Sequence, residues 1–527
     1  MDKMEKQINY KKEKFVVLIM AVFFAVWNRI AQMKEISRIF YIVDREVPFY
    51  VLLVISFFLS VGLFFLLLYT LFEIGRWKRP EIKPFFVFFS IYYIFQLLIL
   101  VAEWPGNFKA DEIYVLAYAV SDLQIYWGQS FITQIFYDLS LMIFPYVVSI
   151  VFFQVTIISI LAAGVMVRAR ALIKNHKLIY FLFLPFILFP VIDSNMFPLR
   201  CSLIAWIFLY CMVDFYVCGK NKAFSFTHSV ITVGLYALVC VWKVEYICTL
   251  PFFLIMFLIS QDNKWKKTIT FIGSFGVCFF VFSLPQLFFK PDDNYLLTTI
   301  MTPLSEIVSE HMDDYDESLE KEWQLLDDCF TLERLQETTS GLDTPVVLYE
   351  VGYIGEEKET ELVKAGLKIC IHYWKDFLRN RINVYTYTNG FVEDAVNYGC
   401  AYLNIVVNGT DLYHGHFRFT DIGNERLRDK VIAFFACRSQ NDFVSTNFMF
   451  PLFYNCTFAT FILLMVMVIH IINKKIMEVL ADISLLLLEF VVFLLAPAVF
   501  FMYYIPFYLT SVVYLFILLL HKIDQKY

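Results

Sequence analysis

Five stretches without a single Asp, Glu, Lys or Arg limit what this chain can become: Val47–Phe72, Pro84–Ala102, Leu139–Val167, Thr268–Phe289 and Phe490–Leu520. Each exceeds the about 18 apolar residues that mark a membrane helix. In lipid the backbone must satisfy its own N–H and C=O groups, which a helix does within one segment. Composition agrees: 59% of the residues are hydrophobic, against roughly 45–50% in soluble domains. The expected class is an all-α polytopic membrane protein, and nothing in the sequence points to nucleic acid. The first apolar run, Phe15–Trp27, lacks a small-residue cleavage site and reads as a retained signal-anchor.

Basic residues orient the spans. Five Lys in residues 1–14 argue for a cytoplasmic N-terminus. From there, spans are expected near 15–33, 48–72, 84–103, 139–167, 178–193, 199–218, 225–242, 245–261, 268–289, 446–472, 477–500 and 501–520, about twelve in all, which leaves both termini cytoplasmic. In this multi-pass, cell-membrane topology the inner segments hold 22 Lys or Arg and the short outer loops seven. Arg29 is the anomaly of the first span.

The net charge of −6 conceals a division. Between Lys290 and Asp442 the chain carries 14 basic and 28 acidic residues. The expected organisation is therefore a membrane module over 1–289 with an outer loop at 103–138, an acidic extracytoplasmic helical domain over 290–445, and C-terminal membrane helices over 446–527. Within the acidic domain one helix is expected from a Thr302 cap through Leu335, and a second period from Glu361 to Tyr387. Cys329, Cys370, Cys400 and Cys437 lie there, and disulfides or buried thiols are equally compatible with the sequence. No CxxC occurs, and no residue set is assigned to a metal.

Chemistry is expected in the outer loop Glu103–Asp138, a polar segment between two apolar runs that must sit at a membrane face or line a wet cavity. Trp104-Pro105-Gly106 forms a turn, and Asp111-Glu112 follows it. A carboxylate there can act as general base toward a hydroxyl. Asp122 is a further acid of the same loop. Lys109, Arg200 and Lys243 are cations at the same face, with Glu245 beside Lys243. They suit a phosphate, although such side chains also snorkel to headgroups. Glu489, in the eleventh span, is an intramembrane carboxylate suited to proton coupling or to a structural partnership.

These residues resemble those of the GT-C superfamily of polytopic glycosyltransferases, and more closely a bacterial branch of envelope proteins with a helical domain inserted late in the chain. The resemblance rests on the Pro105-Gly106 turn leading to Asp111, Lys243-Val244-Glu245 at a span end, the segment Leu297–Glu310, and Tyr503-Tyr504-Ile505-Pro506 before the last span. It implies a GT-C-like fold and transfer of a sugar from a polyprenyl-phosphate-linked donor to an envelope glycan or polymer. Asp111 would be the base with Glu112 assisting, and Lys243, Arg200 and Lys109 would face the phosphate. The only cofactor left open is a divalent cation. Two other classes fit the same sequence: a transporter or flippase of a lipid-linked glycan, with Glu489 as the coupling acid, and a non-catalytic envelope assembly protein that binds through the acidic domain.

Overall fold

The computed structural model describes residues 2–40, 46–76, 83–108, 110–121, 130–221, 226–259, 264–287, 294–392, 424–438 and 446–526. Among them every regular element is a helix, and extended backbone pairs only at an isolated bridge between Arg438 and Thr446. Among the described residues, eight helices are long and apolar enough to cross a membrane: Lys12–Ile39, Val47–Phe72, Lys83–Ala102, Val148–Ala169, Arg200–Asn221, Thr268–Gln286, Phe450–Ile472 and Ile505–Asp524. A pair bent by 68°, Leu178–Phe186 with Phe189–Asn195, makes a ninth if it is one span. Phe226–Trp242 and Val244–Ile259 are shorter apolar helices. This is an all-α, multi-pass membrane architecture.

Three expectations change. The run 139–167 is not one helix: Phe131–Ile143 ends before Pro145, and Val148–Ala169 begins after it. Proline lacks the N–H for the ladder and clashes with the preceding turn. Thr302 is not a cap either. Its helix starts seven residues earlier, at Tyr295, and runs to His311, while Glu320–Phe330 is separate. The Thr302 hydroxyl instead donates to the carbonyl of Pro497. The second expected period is divided at Tyr373, into Glu356–His372 and Trp374–Thr388. Arg29 is accommodated inside the first helix by donating to Met142 O (2.9 Å), Ser56 Oγ (2.7 Å) and Leu53 O (3.2 Å).

Arg200–Asn221 is the central pillar. It is enclosed by the Val148–Ala169, Phe226–Trp242 and Ile505–Asp524 helices, with Trp206, Phe208 and Tyr216 fully buried. At one end of the bundle Asp524 accepts from the backbone N–H groups of Lys174 (2.7 Å) and Asn175 (2.9 Å), and Lys220 pairs with Glu478 at 2.9 Å. The acidic domain lies at the other end. It has its own core, built on Leu297, Met301, Leu304, Trp323, Leu326, Leu362 and Ile369. It is also fastened to the membrane helices: Val499 N–H donates to Leu342 O (3.1 Å) and Arg381 NH1 to Ala496 O (2.6 Å). Cys329, Cys370 and Cys437 are free thiols, and Cys400 lies outside the described residues.

Candidate functional site

The site is assembled at the end of the bundle that carries the acidic domain. Its first element is the turn after Lys83–Ala102. Gly106 adopts φ +117°, where a side chain is strained, and a Cβ there would stand 2.5 Å from Val151 Cγ2. The turn is tied down on both sides. Asn107 N–H donates to Met196 O at 2.9 Å. Arg428, buried in the Glu425–Phe435 helix, donates from Nε to Glu103 O (3.3 Å) and from NH2 to Gly106 O (3.1 Å). Burial pushes the Arg428 guanidinium below its usual pKa, against the opposing charges of Glu103, Asp429 and Glu425. The Glu425–Phe435 helix is seated on Phe189, which stacks on Phe453 at 4.3 Å and contacts Phe434 at 4.7 Å. From this turn the chain enters Ala110–Ser121, with Asp111 and Glu112 in the first turn. Adjacent helical residues point about 100° apart. Glu112 is therefore fully buried while Asp111 is partly exposed.

The second element is the start of the central pillar. Gln154 Nε2 donates to Asn195 O (2.9 Å) and Phe197 O (2.8 Å), and Tyr137 Oη donates to Pro198 O (3.1 Å). Trp206 Nε1 donates to Asn195 Oδ1 at 2.8 Å. This network fixes the turn that delivers Arg200, which is only 8% exposed. Arg200 NH2 donates to Tyr295 Oη at 2.9 Å, and its guanidinium carbon lies 5.4 Å from the centre of that ring. Tyr295 opens the first helix of the acidic domain, whose start is capped by Glu359 Oε1 accepting from the N–H groups of Leu296 (2.8 Å) and Leu297 (3.3 Å).

Lys243 is the third element, at the break between Phe226–Trp242 and the Val244–Thr249 turn of 3-10 helix. It is 5% exposed, pairs with Glu245 Oε1 at 2.7 Å, and places its ammonium 5.6 Å from the centre of the Tyr503 ring. Arg200 and Lys243 are within electrostatic range of each other, of Glu245 and of Tyr295. Tyr503 is in range of Asp111, Asp343 and Tyr295. Asp343 comes from the acidic domain, where its Oδ1 accepts from Thr344 N–H at 2.7 Å.

Asp343 and Tyr349 keep solvent-exposed side chains, yet protein surrounds them on most sides. Together these facts describe groups lining a recess. Withdrawal from bulk water pushes the Asp343 carboxyl up to about 6, with the charge of Asp111 adding and the Thr344 N–H opposing. Tyr349 is pushed up to about 12, first by burial and then by the charge of Asp343. Two buried cations, Arg200 and Lys243, and two carboxylates, Asp111 and Asp343, are thus grouped around Tyr503 and Tyr295. Arg200 makes no other side-chain hydrogen bond among the described residues, so most of its five donors face no protein acceptor.

Arg200, Lys243 and Glu245 therefore come together, and Asp111 joins them through Tyr503, which lies under the Lys243 ammonium and in electrostatic range of Asp111. Glu112 is beside them in sequence but inside the packing. Lys109 and Asp122 lie outside the described residues. Glu489 is elsewhere: its Oε1 accepts from Thr460 Oγ1 (2.5 Å) and Tyr385 Oη (3.2 Å), between membrane helices. Tyr295, Asp343 and Tyr349 escaped the sequence reading, and only Tyr503 carried a signal, through its motif before Pro506. Comparison with known protein families, with characterised proteins and with solved structures gives no match.

Proposed function

We propose that this chain is a membrane glycosyltransferase of the GT-C type. It would move a sugar from a polyprenyl-phosphate donor to an envelope glycan or polymer at the face carrying the acidic domain, outside a cell membrane that holds both termini on its cytoplasmic side. The supporting observation is the grouping of buried Arg200 and Lys243 with Asp111 at one recess, although these residues are far apart in sequence.

In this reading the acceptor hydroxyl gives its proton to Asp111 as its oxygen bonds to the anomeric carbon of the donor. The bond from that carbon to the phosphate oxygen breaks, and its electron pair leaves with the phosphate. Arg200 and Lys243 meet the charge that grows there, and their burial strengthens this because little water competes. Glu245 fixes the ammonium of Lys243, and Tyr295 orients the guanidinium of Arg200. The acidic domain thereby becomes part of the site through Tyr295 and Asp343.

The test is sugar transfer in membranes supplied with a polyprenyl-phosphate sugar. Arg200→Gln and Lys243→Gln should each lower turnover and raise the donor KM at equal protein level. Normal turnover and KM in both variants would overturn the phosphate assignment. In a lipid-linked glycan transporter Glu489 would be the coupling acid, and Glu489→Gln would abolish uptake. The two hydroxyl donors on Glu489, from separate helices, favour an anchoring role instead.

A further inference from the structure

A second cluster of reactive side chains lies at the end of the bundle away from the acidic domain, where Arg168, Asp214, Cys218 and His228 meet. Asp214 and Cys218 are four residues apart on the central pillar and so share one face of it. His228 stands in the first turn of the Phe226–Trp242 helix, and Arg168 in the last turn of Val148–Ala169. Asp214 and Cys218 are buried. Cys218 Sγ is 3.5 Å from Asp214 Oδ1 and 4.0 Å from His228 Nδ1, and one ligand atom from each of the three residues lies within 4.8 Å of the other two. We propose that Asp214, Cys218 and His228 bind a transition-metal ion of the zinc class, and that Arg168 holds the site when no metal is bound. This assignment does not depend on the reaction proposed above.

The donor set is the first argument. A thiolate, an imidazole and a carboxylate are the ligands Zn²⁺ takes, and three of them leave a fourth position for water. The second argument is a contact that the four side chains cannot satisfy among themselves. His228 Nε2 lies 2.7 Å from Arg168 NH2 and 2.8 Å from Asp214 Oδ2. A guanidinium only donates, and an ionised carboxylate only accepts. With a proton, Nε2 confronts the donor; without one, it confronts the carboxylate lone pairs. A metal ion resolves this, because it takes an electron pair from Nε2 and another from the carboxylate. The third argument is that Arg168 can leave. It pairs with Asp214 Oδ1 at 2.7 Å, but its side chain is 34% exposed while that of Asp214 is fully buried. Charge balances in both states: Arg168 neutralises Asp214 without metal, and Asp214 with the Cys218 thiolate neutralises a divalent ion. Binding therefore releases the Cys218 proton to solvent, and Arg168 turns outward still charged. Thr232 Oγ1 donates to Asp214 Oδ2 at 2.6 Å and would orient the carboxylate as a ligand. The bound ion would clasp the Phe226–Trp242 helix to the pillar.

The test is a titration of the full chain with Co²⁺, after purification in detergent under anaerobic, reducing conditions and stripping with a chelator. A single equivalent should bind, with the visible absorption of tetrahedral cobalt and a near-ultraviolet thiolate-to-cobalt band, both abolished by Zn²⁺. Cys218→Ser should lose the near-ultraviolet band. Arg168→Gln removes the competing cation and its charged hydrogen bonds, so it should bind Co²⁺ about tenfold more tightly or better. No saturable cobalt signal in either wild type or Arg168→Gln would overturn the proposal. So would a thiolate band unchanged in Cys218→Ser, which would put the metal on another of the 11 cysteines.

Discussion

Arg428 is where the acidic segment holds the turn that precedes Asp111, and its removal has a calculable cost. Arg428→Met keeps the stem and deletes the guanidinium. Two carbonyls, Glu103 O and Gly106 O, lose a charged donor, and Glu103 loses its nearby countercharge. A hydrogen bond from a charged donor is worth about 1.5–3 kcal/mol. At 3.3 and 3.1 Å both bonds are long, so the lower value suits them and the pair contributes about 3 kcal/mol. Breaking a buried charge pair from one side costs about 3–5 kcal/mol, which overlaps this sum rather than adding to it. The expected destabilisation is therefore about 3 kcal/mol, enough to separate the variant from wild type in thermal unfolding of the purified protein. Arg428→Lys should recover only part of it, because one ammonium does not span two carbonyls as a planar fork does. A loss below about 1 kcal/mol in Arg428→Met would mean that these bonds do not hold the turn.

Other expectations follow from single residues. Gly106→Ala forces a side chain into φ +117° and against Val151; strain and overpacking of about 1–3 kcal/mol each should lower the folded yield sharply, and wild-type thermal stability would refute the turn geometry. Asp343 titrates at about 6 in the folded protein against 3.8 ordinarily. The folded state therefore favours its protonated form, and that stabilisation is complete below about pH 4 and lost as pH rises through about 6. Melting temperature should fall over this window in wild type and fall less in Asp343→Asn; parallel profiles would remove Asp343 from the recess. Glu489→Gln keeps an acceptor for Thr460 and Tyr385, so sugar transfer should persist, whereas complete loss at a normal protein level would give the carboxylate a working role.

The membrane class was legible because charge-free runs of that length have few other solutions. Asp111, Arg200, Lys243 and Glu245 were legible for a related reason: a charge at the end of an apolar run is costly unless it has a use or a partner. Tyr295 and Asp343 were not, because nothing local marks them. Tyr295 is an ordinary first residue of a helix until the domain is laid over the pillar, and Asp343 is an ordinary turn acid until it faces Asp111. Thr302-Pro303 misled for the opposite reason. It carries the signature of a helix start, but a carbonyl from the distant Pro497 takes the hydroxyl. Pro145 was a breaker in plain view inside a run that hydrophobicity alone would have bridged.

The central claim is that the recess between Asp111 and the Arg200–Lys243 pair performs the transfer. Its most direct test is turnover of Asp111→Asn with a polyprenyl-phosphate sugar in membranes, at matched protein level. The substitution keeps size and removes the basic charge. Loss of general-base catalysis predicts a fall of roughly 10²–10⁴-fold in kcat with little change in donor KM. Undiminished turnover in Asp111→Asn would contradict the claim.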